Sequence, residues 1–595
     1  MADNDNLYAG RIAKIRAMGY DAVVIASTDP HASEYPAPRW KQVEWASGFT
    51  GEAGDLVVTQ DHAGLWTDSR YFIHANRQLA GTGIELHKTR VPEEVPIQQW
   101  LASHFKTKPV RVAFDGLCQS VGAVQELDAA LRGAYGLGGY EIVDSPDMLE
   151  PMWTDRPAMP QSPVTWLDER TMGESRREKL DWLRGELKKK GCESMFLTSL
   201  DEIAWLLNVR GEDIDYNPYV ISFLLVTPQT AIWFVRNVSQ VPDAKDVVTA
   251  DYFVLEDALE DRRPECGRLF IDPATLNYHT FKTIRKYFAE SEIELGASPV
   301  IVRKAVKNKK EQEGFRKAFI EDGVAMENFL YWLETSVKGG AHITEWEASE
   351  KLNALRAQSE GYRGNSFANI SAYGPNAALP HYSMPREGSA VIQPKGLYLI
   401  DSGGQYLYGT TDITRTVPMG RCTRLEKEDY TLVLKGMIDL TLATFPEGTA
   451  GCQIDALARR PLWATRRNFG HGTGHGIGFY LGVHEGPQSI RQNFNPQPIL
   501  PGMVTSNEPG LYREGKHGIR HENVVLCREE GRSEFGTFLG FETLTCCHID
   551  TSIVKKKLLN ESEWDWLKAY NRVVYRILKN RLAPEVAKWL KKKCR

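Results

Sequence analysis

The feature that most constrains this chain is a pattern that occurs twice. Residues 11–27 read RIAKIRAMGYDAVVIAS and residues 183–199 read LRGELKKKGCESMFLTS. Each is an amphipathic helical stretch, a glycine that stops it, and then an apolar strand. Each copy continues into a Trp-led apolar segment, WASGFTGEAGDLVVT (45–59) and WLLNVRGEDIDYNPYVISFLLVT (205–227). Each then ends on a short strand, AGLWTD and TAIWFV. Strands alternating with helical patterns predict α/β architecture, here as two similar units.

A chain of 595 residues exceeds one core and calls for two to four domains. PAMPQSPVTW (157–166) reads as a linker, and VRKAVKNKKEQEGFRKAF (302–319) is basic and then helical, an entry into a new domain. The expected domains are therefore 1–157 and 158–302, both α/β, and 303–595. The last is α+β: long helical stretches (311–335, 342–360), strand-like runs with glycine turns, and a closing helix SEWDWLKAYNRVVYRIL. A net charge of −5 gives no reason for a nucleic acid or an anionic membrane as partner. Nine cysteines without a CxxC fit reduced thiols. The N-terminus is acidic and polar, and no apolar run reaches the ~18 residues of a membrane span. The expected location is the cytoplasm.

The chemistry concentrates in the third segment. NFGHGTGHGIGFYLGVHEGPQ (468–488) sets His471, His475 and His484 in a glycine-rich run. Such a run implies φ > 0 conformations or close backbone approach. In YLIDSGGQYLYGTTDITRTV, Asp401 follows an apolar strand and Asp412 lies in the next, with Ser402-Gly403-Gly404 suggesting a hairpin between them. Either aspartate alone could be a turn residue. SNEPGLY carries Glu508, and GIRHENVVL carries Glu522 inside an apolar strand. Alternation puts Arg520 and Glu522 on one face and His521 on the other. A buried carboxylate there needs a cation, hydrogen bonds or a metal, and Arg520 alone could supply an ion pair. Four carboxylates and an imidazole suit hard to borderline divalent ions, two of them rather than one.

As a set, Asp401, Asp412, His475, Glu508 and Glu522 resemble the ligands of the pita-bread metallopeptidases. The surrounding words LIDSG, YGTTDITRT, GHGTGHGIG, VHEGP, EPGLY and GIRHENVV are similar to those of the Xaa-Pro aminopeptidases. The paired N-terminal units are similar to creatinase-like domains in the three-domain, cytosolic members. The resemblance implies two creatinase-like α/β domains and a C-terminal pita-bread catalytic domain. It implies two divalent ions, Mn²⁺ first with Zn²⁺ or Co²⁺ as alternatives. Asp401 would hold one, Asp412 and Glu522 would bridge, and His475 and Glu508 would complete the other. Glu508 would also serve as general base. His381, in ALPHYSMP, and His484 would steady the substrate carbonyl. His471 and Phe367 would line the proline pocket, and Arg520 and Tyr512 would orient a metal carboxylate. The implied activity is hydrolysis of the N-terminal Xaa-Pro bond of a peptide, by a homodimer formed through the C-terminal domain. His521 and Pro380 stand where apolar residues are usual.

Rivals are weaker. GHGTGHGIG does not satisfy G-x-G-x-x-G, HExxH is absent, and no G-x-S-x-G occurs. A prolidase lacks the two-unit N-terminal half. Metal-free creatinase-like enzymes and peptide-binding pita-bread modules lack the full ligand set.

Overall fold

In the computed structural model, residues 2–595 are described apart from 107–108, 237, 242–243 and 245. The chain forms two compact units, Met1–Leu167 with Glu174–Val300, and Asp168–Gly173 with Ile301–Arg595. The first contains both copies of the repeated pattern. Helix α1 (Ala2–Arg16) is followed by Gly19 at φ +79°, and α2 (Arg176–Lys189) by Gly191 at φ +69°. Both glycines adopt the left-handed conformation that ends a helix without a Cβ clash. Ser175 and Glu178 form a reciprocal capping box at the start of α2.

The first sheet comprises β1 (Ala22–Ile25), β2 (Asp55–Thr59), β3 (Ala63–Thr67), β4 (Glu85–Lys88), β5 (Val110–Phe114) and β6 (Tyr140–Asp144). The second comprises β7 (Ser194–Leu197), β8 (Ser222–Val226), β9 (Ala231–Val235), β10 (Val248–Asp251), β11 (Leu269–Ile271) and β12 (Ile293–Leu295). Their orders are β4-β3-β2-β1-β5-β6 and β10-β9-β8-β7-β11-β12, so position for position they are the same. Antiparallel and parallel pairings also correspond throughout. The predicted duplication is thus a duplication of topology. Both faces of the first sheet are buried: Val23, Ile25, Leu56 and Val58 pack on one side, and Ala22, Val24, Val57 and Val112 on the other. That explains why its strands read as continuous apolar runs.

The second unit opens on α3 (Lys309–Lys338), started by a capping box between Asn308 and Glu311 and buried through Phe315, Phe319, Phe329 and Leu333. A three-stranded antiparallel sheet follows, β13 (Ile370–Tyr373), β14 (Leu397–Ser402) and β15 (Ile413–Pro418), with β14 central. The larger sheet contains β16 (Phe445–Pro446), β17 (Gly474–Gly476), β18 (Glu485–Ile490), β19 (Val504–Asn507), β22 (Asn523–Ser533) and β23 (Gly536–Thr543). Its order is β16-β23-β22-β19-β17-β18. Between β19 and β22 lies the hairpin β20 (Gly510–Arg513) and β21 (His517–Arg520). Helix α4 (Arg424–Thr441) packs on β19, β21 and β23, α5 (Gly451–Trp463) on α4 and β18, and α6 (Glu561–Leu578) on α4 and α3. The core between α4 and α6 includes Val433, Met437, Leu567 and Val574. Among the described residues no helix is long and apolar enough to cross a membrane.

Candidate metal centre

Two antiparallel strands set the first pair of carboxylates. In the β14–β15 ladder Asp401 faces Thr414 and Ser402 faces Ile413, which leaves Asp412 just before β15, beside the end of β14. The connection is longer than the expected Ser402-Gly403-Gly404 turn, because residues 404–406 and 409–410 form a small hairpin of their own. Asp401 and Asp412 are both buried.

The glycine-rich run supplies the imidazole. A Cβ on Gly474 would sit 1.9 Å from the Ser506 carbonyl oxygen, and one on Gly476 would sit 2.2 Å from that of Glu485. Of the two reasons open for these glycines, close backbone approach is the one realised; neither has a positive φ. Helix α5 anchors the run: Arg459, paired with Asp455, donates to the carbonyls of Phe469 and His471. His475 then points its Nε2 at Asp412 Oδ2 (3.5 Å) and Glu508 Oε1 (3.3 Å). One ligand atom from each of Asp412, His475 and Glu522 lies within 4.8 Å of the other two.

Glu522 is placed differently from its sequence expectation. It lies between β21 and β22 rather than inside a strand, and its N–H donates to the Thr414 carbonyl at 3.2 Å. The same break separates it from Arg520, whose partner is Asp401. Arg520 Nε donates to Asp401 Oδ2 at 3.0 Å, Nη2 donates to the same oxygen, and Nη1 donates to Tyr512 Oη at 2.6 Å. Tyr512 Oη also meets His471 Nε2 at 2.7 Å. His471, Tyr512, Arg520 and Asp401 therefore form one chain of contacts. Burial lowers the His471 pKa to about 4, which makes its ring a neutral partner.

The ring of His484 meets that of His475 edge-on, centroids 4.3 Å apart. His381 follows Pro380, whose carbonyl lies 3.4 Å from Arg520 Nη2. Phe367 is half-buried on the bend before β13, three residues ahead of Ile370, which pairs with Asp401. His521 is buried against Tyr430, ring centroids 4.3 Å apart, with both ring nitrogens unpartnered. Two supporting hydroxyls escaped the sequence reading. Thr414 Oγ1 donates to Glu522 Oε2 at 2.9 Å, and Ser506 Oγ donates to Glu508 Oε1 at 3.1 Å while accepting from the His475 N–H. Each lies two residues from a ligand aspartate or glutamate, so strand alternation was the available signal. A cavity of about 640 Å³ lined by Lys317, Glu321 and Tyr408 contains none of these groups.

The residues fit divalent ions. Asp401 Oδ1 and Glu522 Oε1 are buried without a hydrogen-bond partner, the state a missing cation would correct. Burial, reinforced by Glu522, Asp401 and Glu508, pushes Asp412 well above the ordinary carboxylate range. Burial and the neighbouring carboxylates do the same to Glu522. Burial opposes charge on His475, but its bond to Glu508 outweighs this and holds it up to about 9. Four carboxylates held this close demand positive charge, and separations of 3.3–3.5 Å between ligand atoms leave room for an ion bonded to each at about 2.0–2.2 Å.

Comparison with known proteins gives the family. Residues 11–152 and 155–311 each match the creatinase/prolidase N-terminal domain. Residues 313–529 match metallopeptidase family M24 and residues 537–595 its C-terminal region. The chain is 38% identical to a probable Xaa-Pro aminopeptidase P of Laccaria bicolor, over 98% of this chain and 93% of that one. It is 36% identical to that of Tuber melanosporum, over 98% of both. The solved X-prolyl aminopeptidase of Caenorhabditis elegans, described as a cytosolic enzyme with a di-nuclear active site, superposes with a TM-score of 0.93 at 34% identity, covering 99% of each chain. With two creatinase-type domains ahead of a pita-bread domain, the chain belongs to metallopeptidase family M24, in the branch formed by these Xaa-Pro aminopeptidases.

Proposed function

We propose that this chain is a cytoplasmic Xaa-Pro aminopeptidase that removes the N-terminal residue from peptides with proline second. The observation that carries the reading is the cluster of Asp412, His475 and Glu522, with Glu508 beside His475, Asp401 held by Arg520, and two carboxylate oxygens left without partners. We assign these five as ligands of two divalent ions, Mn²⁺ before Zn²⁺ or Co²⁺. When bound, the ions supply an activated water and positive charge at the scissile carbonyl. Glu508 accepts the proton of the attacking water and delivers it to the departing proline nitrogen. His484 and His381 donate to the carbonyl oxygen as negative charge develops, each worth about 2.7–4 kcal/mol by analogy with oxyanion donors. Phe367 and His471 form the wall that receives the proline ring. Arg520 and Tyr512 hold Asp401 in one orientation.

Proline explains the need for such a site. An Xaa-Pro bond lacks an N–H, so an enzyme that positions its substrate through that donor has nothing to hold. Here attack and carbonyl polarisation need no N–H. We place the domain boundaries near 157 and 302 and expect a homodimer through the third domain. Xaa-Pro-Yaa tripeptides separate this reading from a prolidase. Release of free Xaa with Pro-Yaa left intact supports it; cleavage of Xaa-Pro dipeptides alone overturns it.

A further inference from the structure

The first sheet carries a second group of imidazoles and carboxylates, in the other unit and unrelated to the catalytic ligands. His62 ends the β2–β3 turn, and Gly64 and Trp66 follow it on the same face. The edge strand β4 runs parallel to β3 with Gly64 opposite Glu85 and Trp66 opposite His87. Glu85 and His87 therefore share the face of His62. The His62 and His87 Nε2 atoms lie 3.0 Å apart, and Glu85 Oε2 lies 4.0 Å from His62 Nδ1. One ligand atom from each of the three lies within 4.8 Å of the other two.

The group is held in place on several sides. The His87 ring stacks on Trp66 at 3.7 Å with an 8° tilt, and Trp66 Nε1 donates to the Val95 carbonyl at 2.9 Å. The rings of Trp100 and His62 lie 4.9 Å apart, centroid to centroid, at a 36° tilt. His104 stacks on Trp100 and contacts Asp61 through Nε2 at 3.0 Å. Gly64 lets the rings lie close over the strand: a Cβ there would sit 2.6 Å from His62 Nε2 and 2.7 Å from His87 Cδ2.

We propose that His62, Glu85 and His87 form a binding site for a borderline divalent cation of the zinc class, which ties edge strand β4 to the β2–β3 turn. Two imidazole nitrogens on one tetrahedral zinc, at about 2.0–2.1 Å each, stand about 3.3 Å apart, so small ring rotations admit the ion. Two imidazoles and one carboxylate favour Zn²⁺ over the oxygen-preferring Mg²⁺ or Ca²⁺. Burial lowers the pKa of both histidines, which favours the neutral rings that ligate metal. A tie at this place also restrains an exposed sheet edge.

The test counts bound Zn²⁺ in the full-length wild type, His62→Gln, His87→Gln and Glu85→Gln proteins, all dialysed against the same micromolar free Zn²⁺. Glu85, 74% exposed and outside the aromatic stack, keeps the comparison valid if a histidine variant fails to fold. The wild type should hold one ion more than each histidine variant, and Glu85→Gln should bind that ion at least tenfold more weakly. Zn²⁺ should slow hydrogen exchange of residues 85–88 at least tenfold in the wild type alone. Equal metal content in all four, with exchange at 85–88 indifferent to Zn²⁺, would overturn the proposal and leave the pair as a neutral histidine–histidine hydrogen bond. Peptidase activity plays no part in the readout, so a failure here is separate from a failure of the aminopeptidase reading.

Discussion

Glu485, next to His484, accepts from two lysines in the protein interior. Its Oε2 lies 2.7 Å from Lys304 Nζ, its Oε1 bonds Lys307, and the three side chains are 2%, 1% and 0% exposed. Glu485→Gln leaves both ammonium groups buried against a neutral amide. Burial already lowers the Lys307 pKa, and Glu485 is the main force opposing that fall. Removing one partner of a buried pair costs about 3–5 kcal/mol. An upper bound on the Lys307 share follows from letting that lysine lose its proton. At pH 7 this costs about 5 kcal/mol, at about 1.4 kcal/mol for each pH unit below an ordinary lysine value. Glu311, also near Lys307, keeps the effect below that bound. Hydrogen exchange of the β17 and β18 amides in the metal-loaded enzyme reads the local opening free energy, and the expected loss is about 3–4 kcal/mol. Adding both Lys304→Met and Lys307→Met to the variant should recover most of it, since a neutral cluster tolerates burial. A loss under about 1 kcal/mol, or no recovery in the triple variant, would refute the view that this ion cluster anchors the His484 segment.

Three further outcomes follow from the site. Arg520→Lys should lower metal affinity or activity about 10–100-fold, measured by metal titration, because lysine cannot reach Asp401 and Tyr512 together. His484→Ala should reduce kcat by about 10²–10³ while metal content, measured by elemental analysis, stays unchanged. Asp429 tests the acid limb. Burial would raise its pKa, but His517, Arg513 and Arg467 outweigh this and hold it at about 2. A depressed carboxylate stabilises the fold fully above its unfolded value of 3.8, and this is lost as pH falls through about 2. Asp429→Asn should therefore cost about 2 kcal/mol in urea unfolding at pH 5–7, with a deficit that shrinks below pH 4.

The duplicated N-terminal architecture was legible because it rests on local rules. A helix stopped by Gly19 or Gly191 and an apolar run after it can be read along the chain, and two equal sheets follow. The candidate ligands were visible for a related reason, as carboxylates stranded in apolar segments that cannot bury charge alone. What the sequence withheld was pairing across distance. Strand alternation set Arg520 beside Glu522, yet β21 ends at Arg520 and the guanidinium turns to Asp401, 119 residues away. Lys304 and Glu485 are 181 residues apart, and nothing local joins them. His521 was legible from alternation as facing away from the ligands, and it packs on Tyr430. For the glycine run, sequence offered two explanations, and only the closeness of Gly474 to Ser506 separates them.

The proposed peptidase reaction requires two ions held by the buried carboxylates and His475. The direct measurement is metal stoichiometry and Xaa-Pro-Yaa hydrolysis on the same samples, after chelation and after Mn²⁺ is restored, for wild type and Asp412→Asn. Expected are two ions per wild-type chain, activity that vanishes with chelation and returns with Mn²⁺, and neither full occupancy nor activity in Asp412→Asn. Wild-type protein that cleaves the tripeptide equally well without metal, or that holds two ions and cleaves nothing, would contradict it.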